Sequence, residues 1–158
     1  MPPDDERSNS LLAQRTLLDR VATGEVHRIR GELGGDQAAA EYHDELEGVA
    51  LGLSFQGIGP DGHTASLFPN APALEERERR AVAAPHEDVD RVTMTIPMLS
   101  AASKVLYLVL GESKAEAVRK VFAEDPSPEA PASLLYSSDG ETIALLDRAA
   151  AAELDNIS

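Results

Sequence analysis

Short apolar runs alternate along the chain with polar stretches punctuated by glycine and proline. Ser8 or Asn9 can cap a helix whose apolar face, Leu11, Leu12, Leu17, Leu18 and Val21, predicts helical structure through about residue 21. Gly34-Gly35-Asp36 starts a second helix through about residue 47, with Ala39, Tyr42 and Leu46 turned inward. Residues 49–55 are mostly apolar and read as a buried strand, and residues 74–80 read as a charged helix-like piece. Residues 91–96 alternate as a strand does. Residues 104–110 form a near-continuous apolar run suited to a buried strand, followed by Gly111 and a helix with Ala117, Val118, Val121 and Phe122 on its apolar side. The proline-rich segment from Pro126 to Pro131 is a loop, because proline fixes φ and removes a donor. Residues 134–136 and 142–146 read as short strands around Ser137-Ser138-Asp139-Gly140, and an alanine-rich helix from 147 to about 154 ends the chain. Strand and helix alternate as in βαβ units, predicting an α/β fold in a single domain over 1–158.

Composition narrows the function classes. With 158 residues and 42% hydrophobic content, a core is available, and an aromatic share of 4% makes its packing mainly aliphatic. A formal charge of -14 argues against nucleic acid or anionic membrane as partner, since a phosphate backbone is held by clustered Lys and Arg. One phosphate group remains compatible, because a few focused cations and helix N-termini can hold it. The chain has no cysteine, which excludes disulfides, thiol catalysis and Cys-based zinc sites. His27, His43, His63 and His86 lack metal-ligand spacing, so no metal and no cofactor is expected. The first residues lack the basic start and apolar core of a signal peptide, and no apolar run is long enough to cross a bilayer. A cytoplasmic location is the expectation.

The most informative segment is Gly57-Ile58-Gly59-Pro60-Asp61-Gly62-His63-Thr64-Ala65-Ser66-Leu67-Phe68-Pro69. Its glycines follow the predicted strand 49–55, where α/β proteins build sites, and allow the backbone to approach a ligand. His63 can serve as a general base near neutral pH, and Asp61, two positions earlier, can orient the imidazole if the loop folds them together. On Asp-Gly-His alone, a capping or packing histidine is the simpler reading, since spacing does not guarantee contact.

As a whole, these thirteen positions closely resemble the signature loop of the 6-phosphogluconolactonases, within the superfamily of sugar-phosphate lactonases and amino-sugar-phosphate deaminases/isomerases. Arg91-Val92-Thr93-Met94-Thr95-Ile96-Pro97 resembles the family's second strand motif, and Leu110-Gly111-Glu112-Ser113-Lys114-Ala115 its strand, glycine turn and lysine-bearing helix. Pro2-Pro3-Asp4, Ser8-Asn9 and Val26-His27-Arg28-Ile29 are similar to the segment preceding the loop.

The resemblance implies a three-layer αβα, Rossmann-like domain with a mostly parallel sheet. It further implies hydrolysis of 6-phosphoglucono-1,5-lactone without cofactor, with His63 drawing a proton from water and Asp61 as its partner or as a loop-forming residue. Lys114 and Arg91 would bind phosphate, with a solvated lysine and an Arg91 salt bridge to Asp88 or Asp90 as the plain alternatives. Gly57 and Gly59 would frame the loop and offer N–H groups to an oxyanion. The deaminases/isomerases carry an additional acid a few residues after Asp-x-His, where this chain reads Ser66-Leu67-Phe68-Pro69.

Two departures stand out. The family's N-terminal strand, phosphate loop and Asp-Glu-Arg segment do not precede Met1, and Asp5-Glu6-Arg7 lies on the wrong side of the prolines to replace it. An N-terminally truncated sheet is therefore expected, with an exposed edge or apolar face open to self-association, or a catalytically silent binding or assembly module. In the strand before the loop, Gly52, Ser54 and Gln56 stand where the family is usually apolar or acidic.

Overall fold

A computed structural model describes residues 1–85 and 89–154. Its centre is a three-stranded, all-parallel sheet in the order β1-β4-β5, formed by β1 (Leu53–Gln56), β4 (Lys104–Val109) and β5 (Glu141–Leu146). Beside it, β2 (Ala81–Ala83) and β3 (Val92–Met94) make a small antiparallel ribbon on which α2 (Gly35–Glu45) packs through Tyr42. The expected α/β class with a mostly parallel sheet is the fold observed.

Register decides which side of the sheet is core. Ser54 pairs with Val105 and Gln56 with Tyr107, so these four share one face. That face meets α4 (Ala115–Phe122), which turns Ala115, Ala117, Val118 and Val121 inward, together with Leu67, Leu74, Leu99 and Leu135. Tyr107 is fully buried, and its hydroxyl lies 2.9 and 2.8 Å from the carbonyl oxygens of Ala132 and Leu135. These contacts tie β4 to the 3-10 turn Pro131–Leu134. Burial pushes the phenol of Tyr107 well above its ordinary value.

The opposite face is apolar and bare. Phe55 pairs with Leu106, Leu106 with Ile143, and Leu108 with Leu145, placing them together with Leu53 on the second side. Leu53, Phe55, Leu108 and Leu145 are 53, 60, 42 and 50% exposed. Parallel strands are normally covered on both sides because their crossovers carry helices there. Among the described residues, no helix covers this face.

Several expectations are corrected. The strand expected over 49–55 forms over Leu53–Gln56, with Leu53 and Phe55 outward and Ser54 and Gln56 buried. The reason is a hydrogen-bond chain on the core side, described below. The first helix, α1 (Asn9–Thr16), is capped by Ser8 as expected, but it buries no residue, and Leu12, Leu17 and Val21 are exposed. In the 74–80 segment only Pro72–Glu75 turns, because the Glu76 carboxylate collects the backbone N–H groups of Arg77, Glu78 and Arg79. The strand expected over 91–96 is confined to β3, since Pro97 opens a short helix, α3 (Ile96–Ser100). Residues 134–136 are not a strand: the Pro131–Leu134 turn takes Leu134, while Leu135 packs into the core. The expected terminal helix is a series of turns around Asp147, whose side chain accepts from the N–H of Ala150.

Candidate active site

Strands β1 and β4 are parallel neighbours, so the loops after Gln56 and Val109 leave the same edge of the sheet. That carboxyl edge is where open α/β sheets place their ligands. The signature loop and the Gly111–Lys114 turn are thereby brought to one end of the domain.

The signature loop folds tightly around its histidine. Asp61 Oδ1 accepts from the His63 backbone N–H at 3.2 Å and lies 2.6 Å from His63 Nδ1. Gly59 donates its N–H to the His63 carbonyl at 2.8 Å, and Gly62 donates to the Gly59 carbonyl. A Cβ on Gly59 would stand 2.1 Å from His63 Nδ1 and 2.6 Å from Asp61 Oδ1, so only glycine leaves room for the pair. Gly62 has φ +83° and presses against the Ala130 backbone, where a side chain would collide. Ala65 also takes a positive φ, 51°, in the turn where Leu67 donates back to Thr64.

The electrostatics of the pair follow from this geometry. Partial burial pushes the Asp61 carboxyl up, but the hydrogen bonds from the His63 ring and backbone outweigh it and hold Asp61 below its ordinary value. An ionised carboxylate only accepts, so Nδ1 carries a hydrogen, and in the neutral form of the ring the lone pair is on Nε2. The ring is about one-third exposed, with Phe68 packed against it at 4.9 Å between centroids.

Phe68 has a second neighbour, the Arg91 guanidinium, 5.7 Å from its ring centroid. Arg91 precedes β3 and lines two adjoining surface cavities, one of which also borders Ser54, Gln56, Ser66 and Thr93. Its buried Nε has no hydrogen-bond partner among the described residues. Asp88, one suggested ion-pair partner of Arg91, and His86 lie outside the described residues.

Lys114 stands at the N-cap of α4, half-buried, after a 3-10 turn that starts at Gly111, whose φ is +96°. Both carboxylate oxygens of Asp147 accept from the Gly111 N–H, at 3.1 Å each, anchoring this turn to the end of β5. The structure thus brings Asp61, His63, Phe68 and Arg91 into one constellation and places Lys114 on the same sheet edge. Gly59 has its N–H engaged within the loop, which corrects the expectation that it offers this group to an oxyanion. Around Gly57 the space is open.

Sequence reasoning missed four contributors. Phe68, Asp147, Thr64 and Gln56 act through packing and buried hydrogen bonds. The signal available was the unusual pair of polar residues, Ser54 and Gln56, in an otherwise apolar strand.

The sequence profile of "Glucosamine-6-phosphate isomerases/6-phosphogluconolactonase" matches residues 1–144. The chain is 35% identical to a human 6-phosphogluconolactonase, over 96% of this chain and 63% of that protein. It is 37% identical to the 6-phosphogluconolactonase of Nostoc sp., over 96% of this chain and 68% of that one. Among solved structures, the devB protein superposes with a TM-score of 0.86 at 32% identity, covering 98% of this chain and 70% of the other. The 6-phosphogluconolactonase of Leishmania guyanensis gives 0.81 at 26% identity, covering 100% and 71%. The chain therefore spans just under two-thirds of the human relative's length. It belongs to the glucosamine-6-phosphate isomerase/6-phosphogluconolactonase family.

Proposed function

We propose that this chain carries the water-activating centre of a 6-phosphogluconolactonase, hydrolysing 6-phosphoglucono-1,5-lactone to 6-phosphogluconate in the oxidative pentose phosphate pathway. The observation that carries the reading is the Asp61–His63 contact of 2.6 Å, which leaves Nε2 as the base. In this reading Nε2 takes a proton from water as the oxygen adds to the lactone carbonyl carbon. Collapse of the tetrahedral adduct breaks the bond to the ring oxygen, which leaves as a hydroxyl by taking the proton from the imidazolium. Arg91 and Lys114 hold the phosphate, and the open backbone at Gly57 faces the developing oxyanion. None of these steps calls on a metal or cofactor.

Ring-opening deamination is the less supported chemistry, because Ser66, Leu67, Phe68 and Pro69 supply no carboxylate after the histidine. The test is lactone hydrolysis by the purified chain above a no-enzyme control, since the lactone also opens spontaneously. A rate equal to that background, with 6-phosphogluconate still binding in calorimetry, would replace lactonase with a silent sugar-phosphate binder.

The bare sheet face supports a second reading, self-association or assembly through Leu53, Phe55, Leu108 and Leu145. Light scattering across protein concentration tests it, and a strictly monomeric mass overturns it. A cytoplasmic enzyme is proposed as well, in keeping with a sugar-phosphate substrate. Among the described residues no helix is long and apolar enough to cross a membrane.

A further inference from the structure

The two polar residues of β1 that the family resemblance leaves unexplained have a defined structural role. Gln56 and Ser54 point into the core, 8 and 4% exposed, where neighbouring positions are Val105 and Tyr107. A polar group there costs stability unless it is hydrogen-bonded. The Thr64 hydroxyl, 1% exposed, donates to Gln56 Oε1 at 2.7 Å, and Gln56 Nε2 donates to Ser54 Oγ at 2.9 Å. The result is a buried relay from the core side of the edge strand β1 to the residue directly after His63.

Thr64 is also fixed on its other side, its carbonyl accepting from Leu67 at 2.9 Å in the turn strained at Ala65. His63 is consequently held between two clamps. The Gly59 N–H closes on its carbonyl, and the Thr64–Gln56 bond ties the following residue to the strand. The ring's own hydrogen-bond partner is the partly exposed Asp61, on the same loop, which cannot fix the pair relative to the sheet. Gly62 adds one further tie, its carbonyl accepting from Ala132 on the opposite side of the loop.

We infer that Gln56, acting through Thr64, is a positioning residue that sets His63 against Asp61 and holds the imidazole in its Nδ1–H form. This inference rests on His63 being the base. It is therefore tested by a readout that needs no turnover as well as by one that does.

The experiment compares the full chain with Gln56→Leu, Thr64→Val, Thr64→Ser and the double variant Gln56→Leu/Thr64→Val. Long-range 1H–15N spectra report the His63 ring nitrogens, assigned with His63→Gln. Steady-state kinetics and melting temperature are measured in parallel. The wild type is expected to show one tautomer, with Nδ1 protonated. Each single apolar variant should mix the two tautomers and lower kcat on the order of 10- to 100-fold, as displacement of a catalytic group does. Thr64→Ser, which keeps the hydroxyl, should restore the single tautomer.

The double variant removes both partners of the Thr64–Gln56 bond and leaves only the Ser54 hydroxyl without its donor, so it should recover part of the melting temperature lost in the single variants without recovering the tautomer. That split separates positioning from stabilisation. Retention of a single Nδ1–H tautomer in Gln56→Leu and Thr64→Val would overturn the inference. Loss of the tautomer that tracks only melting temperature across the set would overturn it as well. Absence of turnover by the wild type would instead count against the lactonase reading, and the spectra would still decide the role of Gln56.

Discussion

His63 Nδ1 lies 2.6 Å from Asp61 Oδ1, while the Asp61 carboxylate also accepts from the His63 backbone N–H at 3.2 Å. One carboxylate oxygen thus fixes both the ring and the main chain of its neighbour, which sets the imidazole orientation with two residues of sequence. Asp61→Asn keeps the shape but removes the charge and presents an amide that can donate to Nδ1, favouring the wrong tautomer. Lactonase kcat is expected to fall by about 10²- to 10⁴-fold, as does His63→Ala, the usual reach of a general base. Stopped-flow or coupled assays corrected for spontaneous opening check both, and a His63→Ala enzyme within threefold of wild type would remove the histidine from the mechanism.

Any residue could supply the Gly59 N–H that closes on the His63 carbonyl; what requires glycine here is space. A methyl at this position would stand 2.1 Å from His63 Nδ1. Gly59→Ala should therefore lower kcat on the order of 10²-fold, the scale of an ångström-sized displacement. An unaltered pair in the His63 ring spectra of this variant would contradict the geometry.

In the proposed reading Lys114 holds the phosphate and takes no part in the chemical step. Lys114→Ala should weaken 6-phosphogluconate binding by roughly tenfold or more, the worth of one charge-assisted hydrogen bond, while the chemical step changes less. Calorimetry with the product measures it. Equal affinity in wild type and variant would return Lys114 to the solvated lysines.

Acid sensitivity is expected from Asp147. Hydrogen bonds from the backbone N–H groups of Ala150 and Gly111 hold its carboxyl below the ordinary value of 3.8. A depressed folded-state value means that the unfolded chain takes up the proton first as pH falls. Its contribution is therefore fully present above about pH 4 and is lost as pH drops through the folded-state value. Urea midpoints at pH 7 and in progressively more acidic buffer below pH 4 should show Asp147→Asn less stable at neutral pH, with the gap to wild type narrowing as the pH falls. A gap that stays constant would mean the carboxylate's charge plays no part.

Phe55, at 60% exposed, should be nearly neutral for folding despite being aromatic and in a strand. Phe55→Ser is expected to shift stability by no more than about 0.5 kcal/mol while reducing binding of an apolar dye and any self-association. A loss of several kcal/mol would show that the face is covered in solution.

Local signals carried much of this protein. The parallel α/β alternation, the glycines at the end of β1, the cap at Ser8, the inward residues of α2 and α4 and the Asp-Gly-His loop were all legible, because each depends on spacing of 2 or about 3.6 residues or on backbone permissiveness at one position. The resemblance of the loop to a known family added roles that spacing does not contain. Long-range packing settled the rest. Periodicity marks an apolar side but not whether anything covers it, so Leu12 on α1, Leu17 at its C-cap, and Leu53 and Phe55 on β1 could not be known to lie open. Nor could the burial of Ser54 and Gln56 be read along the strand, since it rests on a hydroxyl eight residues away that reaches the sheet only after the loop has folded. The same holds for Phe68 between His63 and Arg91, and for Asp147 at Gly111, where contacts 23 and 36 positions apart in sequence are made by the closing of the chain upon itself.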